Sequence, residues 1–190
     1  MVRSFRFLDD KLCFDYYPEF IEKVNADSIC KYLNETIVWP KNYNNKRCAM
    51  IYGDSGLKYT VNFSGKILER KTIDWDTLPI LKEIRDFVAD LTLSKTDYKY
   101  NYCVVQRYPS GQFGIKPHRD KEMIPGTKIA GISLGETREL NMLRGTKNHR
   151  FYLPSGSLYV FNPPTNDYWS HTIVLNKSNN YRISLTFRNL

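Results

Sequence analysis

The feature that most constrains this chain is the stretch Lys116 to Asp120, together with His171 later in the sequence. His118 and Asp120 are two residues apart, so in an extended segment both side chains point to the same face. With His171 they form a set of two imidazoles and one carboxylate, which binds iron(II) on one face and leaves other coordination positions open. A His-x-Asp pair often arises by chance, so this interpretation needs support from the rest of the chain.

A second pattern lies in the stretch Arg182 to Arg188, where polar and apolar residues alternate strictly. In a strand, the apolar residues form a packing face, and the opposite face carries Arg182, Ser184, Thr186 and Arg188. Such a polar face is typical of a solvated sheet edge. The alternative is that the two guanidinium groups bind carboxylates in a bidentate way, and 2-oxoglutarate has a carboxylate at each end.

Taken together, these patterns resemble one family. The triad and the alternating strand are similar to the iron(II)- and 2-oxoglutarate-dependent AlkB dioxygenases, which remove alkyl groups from nucleic-acid bases. Three further segments look like the animal nuclear member that repairs duplex DNA, namely Tyr52 to Tyr59, Pro125 to Ala130 and Pro164 to His171. The resemblance covers the chain from Val38 to Leu190, and its motifs are together highly specific.

The resemblance implies a mainly β (α+β) fold, a double-stranded β-helix or jelly roll with one or two flanking helices and a nucleotide-recognition lid. At 190 residues the chain is long enough for one dioxygenase domain, residues 1–190, with a proper core. Within it, we expect residues 1–36 to brace the sheet and residues 37–70 to form the lid. Residues 98–190 would form the jelly-roll catalytic core.

The resemblance also implies that the protein uses Fe(II), 2-oxoglutarate and dioxygen. His118, Asp120 and His171 would be the metal ligands and the catalytic centre. Five residues would bind the co-substrate: Gln106, Tyr108, Arg182, Ser184 and Arg188. In this arrangement Arg188 with Ser184 pairs with the keto-acid end, and Arg182 with Tyr108 holds the far carboxylate. Gln106 and Ser184 stand where the family carries asparagines, and both keep the polarity of those positions.

A further five residues would contact the substrate: Trp39, Arg47, Tyr59, Phe63 and Glu122. Trp39 lies where the duplex-repair member carries an apolar finger that unstacks a base step, although its ring could instead anchor a loop to the core. Tyr59 and Phe63 would lie against the face of the base or, alternatively, face the core as alternating strand residues. Glu122 would accept a hydrogen bond from an exocyclic amine, and Arg47 would lie on the DNA-binding face.

The expected function is therefore oxidative dealkylation of N-alkylated bases in DNA, of the 1-methyladenine and 3-methylcytosine type. Two alternatives share the same triad: an RNA demethylase of the same family, and a 2-oxoglutarate oxygenase with a substrate other than nucleic acid. The net charge of +8 agrees with double- or single-stranded DNA, or RNA, as the partner.

The remaining composition bears on location and assembly. No apolar run follows the first residues and none reaches membrane-spanning length, so we expect no signal peptide and no membrane contact. The four cysteines have no metal-type spacing, which indicates free thiols in a reducing compartment. We expect an intracellular monomer, located in the nucleus if the source is a eukaryote.

Several local patterns predict the remaining elements. One or two strands are expected between Phe5 and Tyr17, a helix over Asp27 to Asn34 capped by Asp27, and a helix over Thr77 to Thr92 capped by Thr77. Strands are also expected within residues 126–135 and 138–143. The stretch Arg144 to Arg150 reads either as a solvated hairpin tip or as a loop in which Arg144, Lys147 and Arg150 neutralise phosphates. His149, within it, is expected at the surface.

Overall fold

A computed structural model describes residues 3–41, 46–63 and 66–190, without the side chains of residues 61–63 and 66. Its fourteen strands and three α-helices are, in chain order, β1 (Phe5–Asp9), β2 (Leu12–Tyr17), α1 (Lys23–Thr36), β3 (Cys48–Gly53), β4 (Lys58–Phe63), β5 (Lys66–Lys71), β6 (Ile73–Asp74), α2 (Pro79–Thr92), β7 (Tyr102–Tyr108), β8 (Ile115–His118), β9 (Ile129–Gly135), β10 (Arg138–Arg144), β11 (Lys147–Leu153), β12 (Leu158–Phe161), α3 (Thr165–Tyr168), β13 (Ser170–Ile173) and β14 (Arg182–Arg188). A short 3-10 helix, Trp75–Thr77, precedes α2.

The strands form the two facing sheets of a jelly roll and one separate hairpin. The larger sheet has the order β1-β2-β12-β9-β14-β7-β3-β6, and the smaller has the order β11-β10-β13-β8. An apolar cluster that includes Phe14 and Phe161 from the large sheet and Leu140 and Ile173 from the small one fills the space between them. The predicted jelly-roll fold is confirmed, and its interior lies between these two sheets.

Strand β14 lies inside the large sheet and pairs with β9 on one side and β7 on the other. All seven of its residues are buried, so the solvated-edge interpretation of its polar face is wrong. Its apolar face, which includes Leu185 and Phe187, packs in a second core cluster with Leu33 of α1 and Leu81 of α2. The polar face must therefore point into the jelly roll, because successive side chains of a strand lie on opposite sides of the sheet.

Helix α1 covers the outer face of the large sheet but begins earlier than expected. It starts at Lys23 rather than at Asp27, and no side chain caps its first turn. The buried stripe is Ala26, Cys30 and Leu33, whereas Tyr32 is 45% exposed. Asp27 instead accepts hydrogen bonds from Lys23 and Ser155. The bond from Ser155 links α1 to the turn between β11 and β12.

The second helix follows its prediction closely, apart from its cap. Helix α2 begins at Pro79, and a proline at the first helical position costs no backbone hydrogen bond. The helix buries Leu81, Ile84 and Val88. Thr77 does not cap it: the Thr77 hydroxyl donates to the Asp74 carbonyl in the preceding 3-10 turn. The scaffold role expected for this helix agrees with its place in the core cluster.

The hairpin β4–β5 forms a two-stranded sheet that is not hydrogen-bonded to either large sheet. It lies within residues 37–70, the segment expected to act as the lid, although the division of the chain into three segments stays a prediction. Among the residues that the structure describes, no helix is both long and apolar enough to cross a membrane. The four cysteines are free, and three of them are buried.

Candidate active site

The pairing of two short strands brings the three expected metal ligands together. His118 ends β8, and His171 of β13 lies directly opposite it in the antiparallel register. Asp120 follows β8 at a spacing of two, as the alternation of an extended segment requires. The ligand atoms of these three residues all lie within 4.8 Å of one another, and the two imidazole centroids are 4.2 Å apart. The geometry is that of a three-ligand metal centre.

Hydrogen bonds outside the triad orient two of the ligands. The Nδ1 atom of His118 lies 2.9 Å from the Lys116 carbonyl oxygen. Because a carbonyl oxygen can only accept, Nδ1 carries the hydrogen and Nε2 keeps its lone pair for a metal. The side-chain amide of Asn166 accepts from the Asp120 backbone N–H at 3.0 Å and donates to the Asp120 carbonyl at 2.8 Å. Helix α3, which carries Asn166, thereby holds the Asp120 backbone in place.

The electrostatics of the triad suit a divalent metal. Burial lowers the pKa of His171 to about 3, so its imidazole is neutral and can ligate. The Nδ1 atom of His171 is buried and has no hydrogen-bond partner among the residues that the structure describes. Arg188 Nη2 lies 2.8 Å from Asp120 Oδ2, but without hydrogen-bonding alignment, so this oxygen also keeps an unsatisfied lone pair. Buried, unsatisfied acceptors of this kind fit an ion that binds between them.

The polar face of β14 lies next to this centre and meets the expected co-substrate residues of β7. Arg182 is opposite Tyr108 in the register, and Ser184 is opposite Gln106. Together with Arg188 and the triad, these four side chains line one cavity. The Tyr108 hydroxyl donates to Gln106 Oε1 at 2.8 Å, and the Arg182 guanidinium lies 5.1 Å from the centroid of the Tyr108 ring.

This cavity carries cationic groups at both ends, as a dicarboxylate requires. Arg182 is 1% exposed, its Nε donates to the Ser133 hydroxyl, and no residue in the described part of the chain accepts a hydrogen bond from its Nη1. Arg188 is buried at the metal end beside Asp120. Because a buried guanidinium with unused donors is costly unless an anion binds it, the residues present fit 2-oxoglutarate.

Two of the expected substrate residues meet at a second cavity of about 360 Å³. Tyr59 of β4 and Glu122, two residues beyond Asp120, both line it, together with Thr60 and Met123. The Tyr102 hydroxyl donates to the Glu122 carbonyl at 2.7 Å and so ties this segment to β7. The cavity therefore lies between the β4–β5 hairpin and the loop that carries Asp120.

Two further residues expected to contact the substrate are Arg47 and Phe63. Arg47 is half-buried and directly precedes β3. The side chain of Phe63 lies outside the described residues, so its expected place against the base stays a prediction.

Trp39 is placed differently from the wedge interpretation. Its ring is 8% exposed and belongs to the core cluster under the helices, and its Nε1 donates to the Asn34 carbonyl at the end of α1. A side chain that enters a base step must be free in solvent, so the structure supports the alternative in which Trp39 is a core anchor. The preceding Val38, by contrast, is 87% exposed.

The basic stretch at the β10–β11 hairpin is also less free than its sequence indicates. Lys147 Nζ lies 2.6 Å from the carboxylate of Asp9, and Arg144 pairs with Asp10. His149 is half-buried rather than at the surface: its Nε2 lies 2.7 Å from the same Asp9 carboxylate, and its ring packs against Phe7. Asp9 and Asp10, at the end of β1, therefore pair with part of this stretch, and the alternative in which Arg144, Lys147 and Arg150 neutralise phosphates stays a prediction.

Sequence reasoning did not identify three residues of the site. Asn166 orients Asp120, Tyr102 holds the Glu122 segment, and Tyr159 of β12 lines the co-substrate cavity. Burial raises the pKa of Tyr159 to about 12, so its ring stays neutral beside the arginines. Asn166 lies inside one of the segments that carried the resemblance, but a lone tyrosine in an alternating strand gives no comparable signal.

Comparison with known proteins agrees with this geometry. The model of the 2OG-Fe(II) oxygenase superfamily matches residues 14–188. The chain is 33% identical to the DNA oxidative demethylase ALKBH2 of Mus musculus, over 92% of this chain and 79% of the relative. It is 32% identical to ALKBH2 of Homo sapiens, over 92% of this chain and 72% of that protein.

Solved structures show the same fold at low sequence identity. OsALKBH1 superposes with a TM-score of 0.62 at 13% identity, over 97% of this chain and all of that one. A Pseudomonas putida prolyl-4-hydroxylase superposes with a TM-score of 0.53 at 18% identity, over 93% of this chain and 92% of that one. The fold, the metal centre and the match along the chain lead to one conclusion: the protein is a member of the 2OG-Fe(II) oxygenase superfamily, in the family of the ALKBH2 DNA oxidative demethylases.

Proposed function

We propose that this protein repairs DNA by oxidative removal of alkyl groups from N-alkylated bases, of the 1-methyladenine and 3-methylcytosine type. The observation that carries the proposal is the position of the Tyr59–Glu122 cavity, whose wall continues into the loop of the metal ligand Asp120. A base in this cavity would lie beside the metal centre. The ALKBH2 relatives, which are named as DNA oxidative demethylases, support DNA as the substrate.

In this proposal, the side chains of His118, Asp120 and His171 hold Fe(II). When bound, iron, 2-oxoglutarate and dioxygen supply the oxidation of the N-alkyl carbon, after which the hydroxylated group leaves as an aldehyde and the base is restored. The contribution of the chain is to hold these groups in register. Asn166 fixes the Asp120 backbone and Lys116 fixes the His118 ring, so the ligand atoms are pre-arranged before the metal binds.

The co-substrate is oriented by charge at its two ends. Arg188, with Ser184, would pair with the keto-acid end near the metal, since Arg188 is already in contact with Asp120. Arg182 would hold the far carboxylate through its guanidinium fork, supported by the Tyr108 ring beneath it. Gln106 would contribute indirectly to co-substrate binding, because its side-chain oxygen accepts a hydrogen bond from the Tyr108 hydroxyl and so orients that ring. The large sheet fixes the spacing of these side chains through its hydrogen-bonded register.

The base would be recognised by stacking and by one carboxylate. A base in a duplex must leave the stack before its alkyl group can reach the metal, at a cost of a few kcal/mol. Tyr59 would recover part of that cost by stacking, which contributes about 1–3 kcal/mol per base. Glu122 is exposed at the cavity and would accept a hydrogen bond from the exocyclic amine of adenine or cytosine.

Contacts outside the cavity belong to the same proposal. Arg47 would neutralise a phosphate. Val38, which projects into solvent, would take the place at the vacated base step that was expected of Trp39. The monomeric state, the absence of membrane contact, and the intracellular or nuclear location stay predictions from the sequence.

Product analysis on three substrates tests the proposal. The same 3-methylcytosine lesion is placed in single-stranded DNA, duplex DNA and RNA, and the restored base is quantified with iron or 2-oxoglutarate omitted in turn. We expect restoration in DNA that requires both. Restoration in RNA alone would replace DNA repair with RNA demethylation, and no restoration in any nucleic acid, despite 2-oxoglutarate turnover, would indicate a different substrate class.

A further inference from the structure

A second buried arginine, outside the expected co-substrate set, lies behind Tyr108. Arg138 begins β10 in the small sheet and is 1% exposed. It donates to four backbone carbonyls: those of Phe113 and Val174 at 2.7 Å, Ser110 at 3.3 Å and Gly111 at 3.5 Å. These carbonyls accept from its two Nη atoms but carry no net charge, and within the described residues its buried Nε has no hydrogen-bond partner. The positive charge of Arg138 is therefore only partly compensated.

The two buried arginines, Arg138 and Arg182, flank one aromatic ring. Their guanidinium carbons lie 5.7 Å and 5.1 Å from the centroid of Tyr108. Within the described part of the chain, neither forms an ion pair with a carboxylate. Burial and the neighbouring charge of Arg182 lower the pKa of Arg138, whereas Tyr108 and Glu136 act in the opposite direction. An arginine nevertheless remains protonated in a protein, so two cations lie beside the Tyr108 ring, and one of them, Arg182, lines the cavity.

We propose that Arg138 is a specificity-determining residue for the co-substrate, whose charge favours a 2-oxo acid with a second, distal carboxylate over a 2-oxo acid without one. The proposal rests on the assignment of Arg182 and Tyr108 to that distal carboxylate. Arg182 would bind the carboxylate directly. Arg138 would act through space from behind Tyr108, because the ring separates it from the cavity.

The physical reason is the mismatch between charge and burial. A guanidinium without a counter-ion in a low-dielectric interior destabilises the free protein, and an anion that binds nearby removes this cost. With an effective dielectric near 20, a charge about 10 Å from a carboxylate changes its binding by roughly one order of magnitude. The effect falls with distance and acts on both carboxylates, but only 2-oxoglutarate has the nearer, distal one. It therefore changes the preference for 2-oxoglutarate over 2-oxopentanoate, which has the same carbon chain without that group.

The competing explanation is that Arg138 only joins the loop after β7 to β13 through its carbonyl contacts. A structural defect that displaces Tyr108 would also weaken the site of the distal carboxylate, because Arg138 lies against that ring. The ratio of the two dissociation constants is therefore compared between Arg138→Met, which removes the charge, and Arg138→Lys, which keeps the charge but loses the fork that reaches several carbonyls.

The experiment measures calorimetric dissociation constants of 2-oxoglutarate and 2-oxopentanoate for the anaerobic iron(II)-loaded protein, without nucleic acid, so the outcome does not depend on the proposed DNA substrate. We expect Arg138→Met to reduce the preference for 2-oxoglutarate over 2-oxopentanoate, the ratio of the two dissociation constants, about tenfold. Arg150→Met removes an exposed charge of the neighbouring strand and should leave both constants unchanged. Equal effects of Arg138→Met on the two acids, or none on either, would overturn the proposal.

Two further variants complete the test of an electrostatic role. They also decide the question if the melting curve of Arg138→Met shows no folded protein. Arg138→Lys keeps the charge and should retain the preference for 2-oxoglutarate within about twofold. Glu136→Gln removes the carboxylate that attracts Arg138 from the β9–β10 hairpin, and it should strengthen the preference. A weaker preference in either variant would contradict the electrostatic role.

Discussion

The inside of the jelly roll and its outer rim place their functional residues by different means. Inside, β14 is paired along its length on both sides, and the register sets Arg182 against Tyr108 and Ser184 against Gln106. At the rim, Tyr59 lies on the β4–β5 hairpin, whose strands form a sheet of their own and do not extend the larger or the smaller sheet. In the interior, one continuous sheet therefore fixes the residues that would bind metal and co-substrate. At the rim, the residues around the base cavity come from a separate hairpin and a loop. Variants that affect one region and spare the other test this division.

The largest effect is expected in the metal centre. Asp120→Ala removes the one carboxylate of the triad and should abolish both iron(II) retention and base restoration, since two imidazoles alone do not complete the ligand set. Loss of the ion pair with Arg188 should lower the melting temperature, but the domain should still fold, because hydrogen bonds of the Asp120 backbone with Asn166 hold the loop. Asp90→Ala, on the exposed face of α2, is the control. Normal iron content in Asp120→Ala would place the metal elsewhere.

A large but incomplete loss is expected at the keto-acid end of the cavity. Arg188→Lys keeps the charge beside Asp120 but loses the planar fork, so 2-oxoglutarate should bind about tenfold or more weakly. The dissociation constant for 2-oxoglutarate, measured by calorimetry on the iron-loaded protein, reports this loss. Arg150→Lys serves as the control. An unchanged constant in Arg188→Lys would show that this arginine does not contact the co-substrate.

Next to the exposed Val38, the variant Trp39→Ala distinguishes a core anchor from a wedge. Removal of its buried ring and of the hydrogen bond to Asn34 should lower the free energy of unfolding by about 3 kcal/mol. Repair of duplex and single-stranded DNA should then fall together as the folded fraction falls. Val38→Ala is the matched control, because it should leave the melting curve unchanged and slow only duplex repair. A selective loss of duplex repair in a fully stable Trp39→Ala protein would restore the wedge interpretation.

The smallest effect is expected at the β10–β11 hairpin. Lys147 is already paired with Asp9, so Lys147→Ala should leave DNA affinity and its salt dependence almost unchanged. Arg47→Ala, by contrast, should weaken binding and reduce the slope of log affinity against log salt by about 1. These slopes can be measured by fluorescence anisotropy with a labelled duplex. A reduced slope in Lys147→Ala would show that the lysine leaves Asp9 when DNA binds.

The same division explains which features could be predicted from the sequence. Alternation identified the polar face of β14, and a spacing of two identified His118 and Asp120, because a regular strand converts spacing directly into direction. Alternation could not show whether β14 is an edge or a central strand, since both patterns look alike in one sequence. The resemblance supplied that information.

Sequence patterns failed where side chains meet through long-range or irregular contacts. Lys147 forms an ion pair with Asp9, which is 138 residues away in the sequence, so no local spacing could reveal the contact. Trp39 follows the end of α1, where no period indicates the direction of the ring, so its burial depends on how the loop returns to the core. Arg138 and Tyr159 belong to regular strands, but their importance comes from neighbours on other strands.

The central claim is that the interior binds metal and co-substrate independently of the rim that selects the base. Its most direct test is the number of 3-methylcytosines restored per 2-oxoglutarate consumed, measured in one reaction for the wild type and Tyr59→Ala, with the exposed Tyr98→Ala as the control. We expect Tyr59→Ala to bind iron(II) and 2-oxoglutarate like the wild type but to restore fewer bases per co-substrate, because about 1–3 kcal/mol of stacking is lost. A Tyr59→Ala protein that loses 2-oxoglutarate binding in parallel with repair, or that keeps the wild-type ratio, would contradict the claim.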